Sequence, residues 1–244
     1  AATYCLVIDP DPVPTITGDL GGVFTASPLG VVINSSTGEI NLHTSTSGVY
    51  TISYSVFPCI ETFDVTINNA DDASFNYSTT NYCETASNQL PTSVTSPGGS
   101  WSANSGLISI VPLTGEVDIS GSTPGVYKVY YTTNGLCPVT DSVDFVIEPL
   151  QDATFDYNLS YCTPGANVLP NNVATAGGTF SEVTTNLQIV NTTTGEISLN
   201  TTTPGNYTID YLTPNLCATT SSFSIEILPP INDIFWIPDT VCLP

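Results

Sequence analysis

The triplet Thr-Gly-Glu occurs at Thr37, Thr114 and Thr194, spacings of 77 and 80 residues, and other features keep the same order and period. Paired glycines begin at Gly21, Gly98 and Gly177, and an aromatic residue follows each pair: Phe24, Trp101 and Phe180. Cysteines fall in two series, Cys5, Cys83, Cys162 and Cys242 in one and Cys59, Cys137 and Cys217 in the other. A period of about 79 residues limits the fold more than any other feature, because a repeat of this kind is one structural unit stacked mainly on its neighbours. The expected units are 1–70, 71–150 and 151–230, with 231–244 opening a fourth. The first unit reads as missing the opening strand that "DATFDY" supplies to the third, so its sheet edge stands open unless a neighbour covers it. On this reading the chain is a window on a longer array, and the partner of the odd cysteine, Cys242, lies outside it.

Within each unit the hydrophobic pattern has a period of two. Tyr50, Ile52 and Tyr54 alternate with polar residues, as do Tyr127, Val129 and Tyr131, and Tyr207, Ile209 and Tyr211. The closing runs repeat the pattern with Phe63, Val65 and Ile67, then Val143, Phe145 and Ile147, then Phe223, Ile225 and Ile227. Such alternation gives strands with one buried and one wet face. Gly in Thr-Gly-Glu supplies the positive φ of a tight turn, and "TPG" and "NGLCPV" mark further turns. Roughly seven short strands per unit predict an all-β chain of tandem immunoglobulin-like antiparallel β-sandwiches arranged as a rod, each unit about 35–40 Å long. Phe24, Trp101 and Phe180 are the predicted core aromatics, with exposed ligand-binding platforms as the other reading.

Seven cysteines locked to the repeat predict structural disulfides in an oxidising, extracellular place. The simplest pairing stays within units: Cys5–Cys59, Cys83–Cys137 and Cys162–Cys217. A sandwich puts those partners at opposite ends, which keeps open a scheme that links neighbours, Cys5–Cys137 and Cys83–Cys217. No spacing suits zinc, and the chain has a single histidine, His43, so neither a metal site nor a Ser-His-Asp set can recur from unit to unit. No enzyme activity is expected. Calcium at the junctions is the one cofactor considered, on Asp71, Asp72, Asp152 and Asp233, although each junction offers fewer carboxylates than calcium requires.

One Lys, no Arg and 22 acidic residues give a net charge of −21, which leaves nothing to neutralise phosphates. Nucleic acid and anionic lipid are therefore excluded as partners, and no apolar run is long enough to span a membrane. The whole unit, "DATFDYNLSYC" through "GGTF", "TTGEISL" and "TPGNYTIDY" to "LCATTSSFSIEI", resembles the repeats of very large surface proteins of Bacteroidota. The SprB-type gliding adhesins, exported by type IX secretion, are the best-known group. "GLISIVPLTGEVDISGSTPGVYKVYYTT" is similar to the signature of bacterial immunoglobulin-like and cadherin-like surface repeats. The resemblance implies a cell-surface filament or stalk that serves attachment and gliding, with neighbouring repeats and an extracellular surface or polysaccharide as partners. It also implies O-glycosylation at Asp-Ser/Thr-apolar sites, here Ser142 and Thr240. A different function, an array of carbohydrate-binding modules on a polysaccharide-degrading protein, would require exposed aromatics in every unit. Tryptophan occurs only at Trp101 and Trp236.

Overall fold

Alternating Tyr, Ile and Val residues turn three long hairpins toward a core, and the rest of the architecture is built against them. The computed structural model describes residues 1–230, and every regular element in it is a β-strand. The first repeat holds β1 (Ala2–Cys5), β2 (Val23–Ser27), β3 (Gly48–Val56) and β4 (Cys59–Asn68). The second holds β5 (Phe75–Asn76), β6 (Asn81–Cys83), β7 (Ser93–Val94), β8 (Ser100–Ala103), β9 (Ser109–Ile110), β10 (Val117–Asp118), β11 (Gly125–Thr132) and β12 (Thr140–Glu148). The third holds β13 (Phe155–Asp156), β14 (Ser160–Cys162), β15 (Asn172–Val173), β16 (Thr179–Glu182), β17 (Ile189–Asn191), β18 (Glu196–Ile197), β19 (Gly205–Leu212) and β20 (Thr220–Leu228).

One four-stranded sheet recurs in each repeat, in the orders β1-β4-β3-β2, β6-β12-β11-β8 and β14-β20-β19-β16. The central hairpins β3/β4, β11/β12 and β19/β20 are antiparallel. The edge strands β1 and β14 instead run parallel to β4 and β20, so the sandwich is not purely antiparallel. The facing layer is reduced to the two-residue ladders β5/β7, β9/β10, β13/β15 and β17/β18. Side chains take up backbone donors that longer ladders would use. Asn34 Oδ1 accepts the N–H groups of Ser36 and Thr37, and Asn191 Oδ1 accepts those of Thr193 and Thr194. The described residues of the first repeat hold no counterpart of β5/β7 or β13/β15.

The described residues form two compact units, Ala1–Asn81 with Ala86–Ile147, and Tyr82–Thr85 with the described residues from Glu148 on. In the first, Trp101 packs on Tyr131 and Phe75 with ring centroids 4.5 and 4.7 Å apart. In the second, Phe180 packs on Tyr211 and Phe155 at 4.4 and 5.4 Å. Phe24 belongs to a smaller cluster with Ile40, Leu42, Tyr50, Ile52, Val65 and Ile67. All three aromatics after the glycine pairs are thus buried, Phe180 most completely at 1% exposure.

The repeated motifs have a shared cause in tyrosine hydroxyls. Tyr50, Tyr127 and Tyr207 each donate to the carbonyl four residues back, at Thr46, Thr123 and Thr203. This corner locks the turn to the strand that follows. Tyr54, Tyr131 and Tyr211 accept the N–H of the second glycine of each pair at 2.8–2.9 Å and donate to the carbonyls of Asp19, Ser96 and Thr175. A Cβ on Gly99 would lie 2.0 Å from the Thr132 carbonyl oxygen, so the pair's second position admits no side chain. In Thr-Gly-Glu, Gly115 has φ +72 and the Trp101 ring lies 2.6 Å from where its Cβ would stand. Conversion of Tyr131→Phe leaves the Gly99 N–H and the Ser96 carbonyl without this partner, and we expect urea unfolding to show a loss of about 1–3 kcal/mol.

Candidate functional site

The chemistry of the described residues concentrates where one repeat meets the next. Cys5 bonds Cys137 and Cys83 bonds Cys217, with Cα–Cα distances of 5.5 and 5.2 Å. The within-repeat pairs Cys5–Cys59, Cys83–Cys137 and Cys162–Cys217 are therefore corrected. The reason lies in the parallel edge: β1 pairs with β4 so that Cys5 stands beside Asn68, at the end of β4 remote from Cys59. A strand of that length separates its ends by about 30 Å, whereas a disulfide requires Cα atoms within about 7 Å. Cys162 likewise stands beside Leu228, at the far end of β20 from the turn that carries Cys217. Cys59 and Cys162 are exposed and unpaired. Cys242 and Thr240, with Asp233, Trp236 and the opening of a fourth repeat at 231–244, lie outside the described residues.

Backbone bonds support both bridges in the same way. The Asp71 N–H donates to the Cys137 carbonyl, and the Gln151 N–H to the Cys217 carbonyl, at 2.9 and 3.0 Å. Asp71 Oδ2 also accepts the Gly135 N–H, and Glu84 Oε1 accepts the Leu150 N–H. The Thr219 hydroxyl donates to the Gln151 carbonyl at 2.6 Å. The bridged residues Cys137 and Cys217 are buried, at 0% and 1% exposure.

The acidic residues considered for calcium are already engaged. Asp72 Oδ1 accepts the Ser74 N–H, and Asp152 Oδ1 accepts both the N–H and the hydroxyl of Thr154. Among the described residues no three His, Cys, Asp or Glu side chains converge as a metal site. One or two engaged carboxylates at a junction do not fit an ion that takes six to eight oxygens. Bonding from the Ser74 and Thr154 side chains and backbones holds the Asp72 and Asp152 carboxyls below the usual aspartate range. A depressed folded-state value stabilises above the unfolded value and is lost as pH falls through the folded one. We therefore expect stability to decline below about pH 4, and expect Asp72→Ala with Asp152→Ala to flatten that decline in urea melts at successive pH values.

His43 is exposed in a turn, and Ser142 is half-buried in β12 opposite Tyr130. Lys128, the chain's one basic side chain, pairs with Asp144 at 2.8 Å on the exposed face of the sheet. Trp101 is buried under Phe75 and Tyr131, so it cannot serve as an exposed platform for a sugar ring. No helix of the described residues is long and apolar enough to cross a membrane.

Among solved structures, cadherin repeats match the chain at low identity and low TM-score. It matches the protocadherin gammaB4 extracellular domain at 14% identity over 94% of this chain and 48% of that one, with a TM-score of 0.30. It matches Drosophila N-cadherin EC1-4 at 10% identity over 94% of this chain and 72% of that one, with a TM-score of 0.33. Mouse cadherin-23 EC22-24 matches at 14% identity over 94% of this chain and 95% of that one, with a TM-score of 0.30. The chain spans about half the length of the protocadherin it matches. At these values no inference about function passes from those proteins to this chain. No protein-family model and no curated protein matches it.

Two features of the fold were not visible in the residue pattern. The tyrosine hydroxyl network involves partners more than 30 residues away, such as Gly99 for Tyr131. The parallel entry of β1 and β14, which decides the disulfide pairing, depends on register between strands far apart in sequence.

Proposed function

We propose that this chain is a structural and adhesive segment of a large secreted cell-surface filament or stalk, of the kind the SprB-type gliding adhesins form. The observation that carries this reading is the disulfide pattern: Cys5–Cys137 and Cys83–Cys217 each leave one repeat and end in the next. Pulling force along such a chain passes through covalent bonds at each junction rather than through hydrogen bonds alone. The surface suits an exterior rich in proteases, because Lys128 is the one site for a trypsin-like enzyme. Hydration comes from Thr, Ser and Asn together with one-signed charge, which favours solubility without attraction to nucleic acid or anionic lipid. On this reading the protein acts mechanically, holding or touching a substratum, and has no catalytic step.

Antibody fragments raised against the intact chain test the proposal on living cells that make it. Labelling of unbroken cells, with label carried along the surface during gliding, is the expected result. Label that appears only after lysis would overturn it. Saturable binding of the intact chain on a glycan array would instead favour an array of carbohydrate-binding modules.

A further inference from the structure

Asn134 and Gly135 form the single Asn-Gly pair of the chain, in the turn that joins β11 to β12. Both residues are exposed, and among the described residues the Asn134 carboxamide has no hydrogen-bond partner. It lies beside Gly98, its Oδ1 and Nδ2 standing 3.6 and 3.8 Å from where a Cβ there would be. The Gly135 N–H donates to Asp71 Oδ2 at 3.0 Å, and the Asp71 N–H donates to the Cys137 carbonyl at 2.9 Å. A Cβ on Gly135 would collide with the Asp71 carboxyl, so glycine alone allows this approach. The pair stands just before Cys137, whose bridge to Cys5 joins the first repeat to the second.

An asparagine followed by glycine is the pair most open to attack by its own backbone. The nitrogen of the next residue reaches the side-chain carbon Cγ through a small, unstrained ring, and glycine puts no Cβ in the way. No other asparagine of the chain is followed by glycine, and several are tied down. Asn34 and Asn191 hold their Oδ1 atoms on N–H groups of the turns that follow, and Asn104 Oδ1 accepts the Lys128 N–H. Ser35, Thr192 and Ser105 come after them, each with a Cβ beside the nitrogen that would attack. In the third repeat the same turn reads Pro214-Asn215-Leu216, so a leucine stands after the asparagine.

We propose that Asn134 is a self-modification site and that Asp71 sets its rate. The Gly135 nitrogen gives up its proton and bonds Asn134 Cγ, the Cγ–Nδ2 bond breaks, and the amide nitrogen leaves as ammonia. A cyclic imide results. Water then opens the imide, at Cγ to give aspartate or at the main-chain carbonyl to give an isoaspartyl link through Cβ. One water is consumed and one ammonia released, and no oxidant or cofactor takes part. Asp71 restrains the first step in two ways. Its hydrogen bond must break before the Gly135 nitrogen can turn to Cγ. Its negative charge also disfavours the nitrogen anion that attacks. Either product adds a negative charge where the first repeat meets the second, and the isoaspartyl product adds one main-chain carbon between β11 and Cys137. The site does not depend on the adhesive role, since it rests on the chemistry and contacts of one turn.

The test holds the intact, bridged chain in mildly alkaline heavy-oxygen water and digests it without reduction by pepsin in acid, where the reaction stops. Mass spectrometry then reads each asparagine. Every event fixes one heavy oxygen, and electron-transfer fragmentation separates aspartate from isoaspartate. Label at Asn134 should build on the order of tenfold faster than at Asn34, Asn104 or Asn191, because only there is the attack unobstructed. Asp71→Ala should speed it by about tenfold more, the effect of releasing one hydrogen bond to a charged group. Asp71→Asn, which keeps an acceptor oxygen without the charge, should fall between the two. Asn134→Gln should abolish the label, since a longer side chain closes a less favourable ring. Retention of the Cys5–Cys137 peptide confirms that the Asp71 variants are folded. The inference is overturned if the folded chain leaves Asn134 unlabelled or labels Asn34, Asn104 or Asn191 as fast. It is equally overturned if Asp71→Ala leaves the rate unchanged or lowers it.

Discussion

Replacing Cys83 and Cys217 with serine should lower stability by about 4–5 kcal/mol, the chain-entropy value for a closed loop of this size. The bridge closes 134 residues, and its loss returns that loop's freedom to the unfolded state. For a domain in this size range the change corresponds to a fall of about 10–15 °C in Tm. Cys5→Ser with Cys137→Ser should cost a similar amount, since that loop spans 132 residues. The two loops overlap between Cys83 and Cys137, so each bridge shortens the loop the other closes, and the double removal should cost slightly more than the sum of the two single removals. Cys59→Ser and Cys162→Ser in the monomer should leave unfolding unchanged, because neither residue is bridged. Calorimetry of the four variants side by side separates these outcomes.

Trp101→Ala should be the most damaging single change in the core, at about 3–5 kcal/mol. The indole is 6% exposed, and its neighbours Phe75, Tyr77 and Tyr131 are themselves held by other contacts. Gly115 passes directly beside the ring in a left-handed conformation, φ +72, so the Thr-Gly-Glu turn and the aromatic are set against each other. Removing the indole opens a void that this rigid frame cannot close. Trp101→Phe should retain most of the stability, because Phe24 and Phe180 stand at the same place in the other repeats. Urea unfolding of the two variants checks both the size and the order of the effects.

The strands were legible because their cause is local. Tyr207, Ile209 and Tyr211 alternate in the sequence and are buried on one face, at 5%, 0% and 1% exposure. The turns were legible for the same reason, Gly38, Gly115 and Gly195 all having φ between +72 and +74. Phe63 was not legible. Its alternation matches that of Phe223, yet it is half-exposed, because burial at that position depends on an aromatic pair carried by a different strand. The choice between the two disulfide schemes was not legible for a similar reason. Repeat spacing makes Cys5–Cys59 and Cys5–Cys137 equally regular, and only the parallel register of β1 on β4 separates Cys5 from Cys59. The junction carboxylates were visible as residues but not as caps, since Asp72 and Asp152 could serve an ion or the backbone two residues on with the same sequence.

The central claim is that covalent links carry force from one repeat to the next, and single-molecule stretching of the intact chain tests it most directly. In the Cys5→Ser, Cys137→Ser variant, with the other bridge closed, a taut chain hides the 134 residues between Cys83 and Cys217. Reduction should therefore lengthen the fully stretched molecule by about 480 Å, at about 3.6 Å per extended residue. A gain of about 200 Å, the value for the single Cys162–Cys217 bridge that pairing within repeats would leave, or no gain at all, would contradict it.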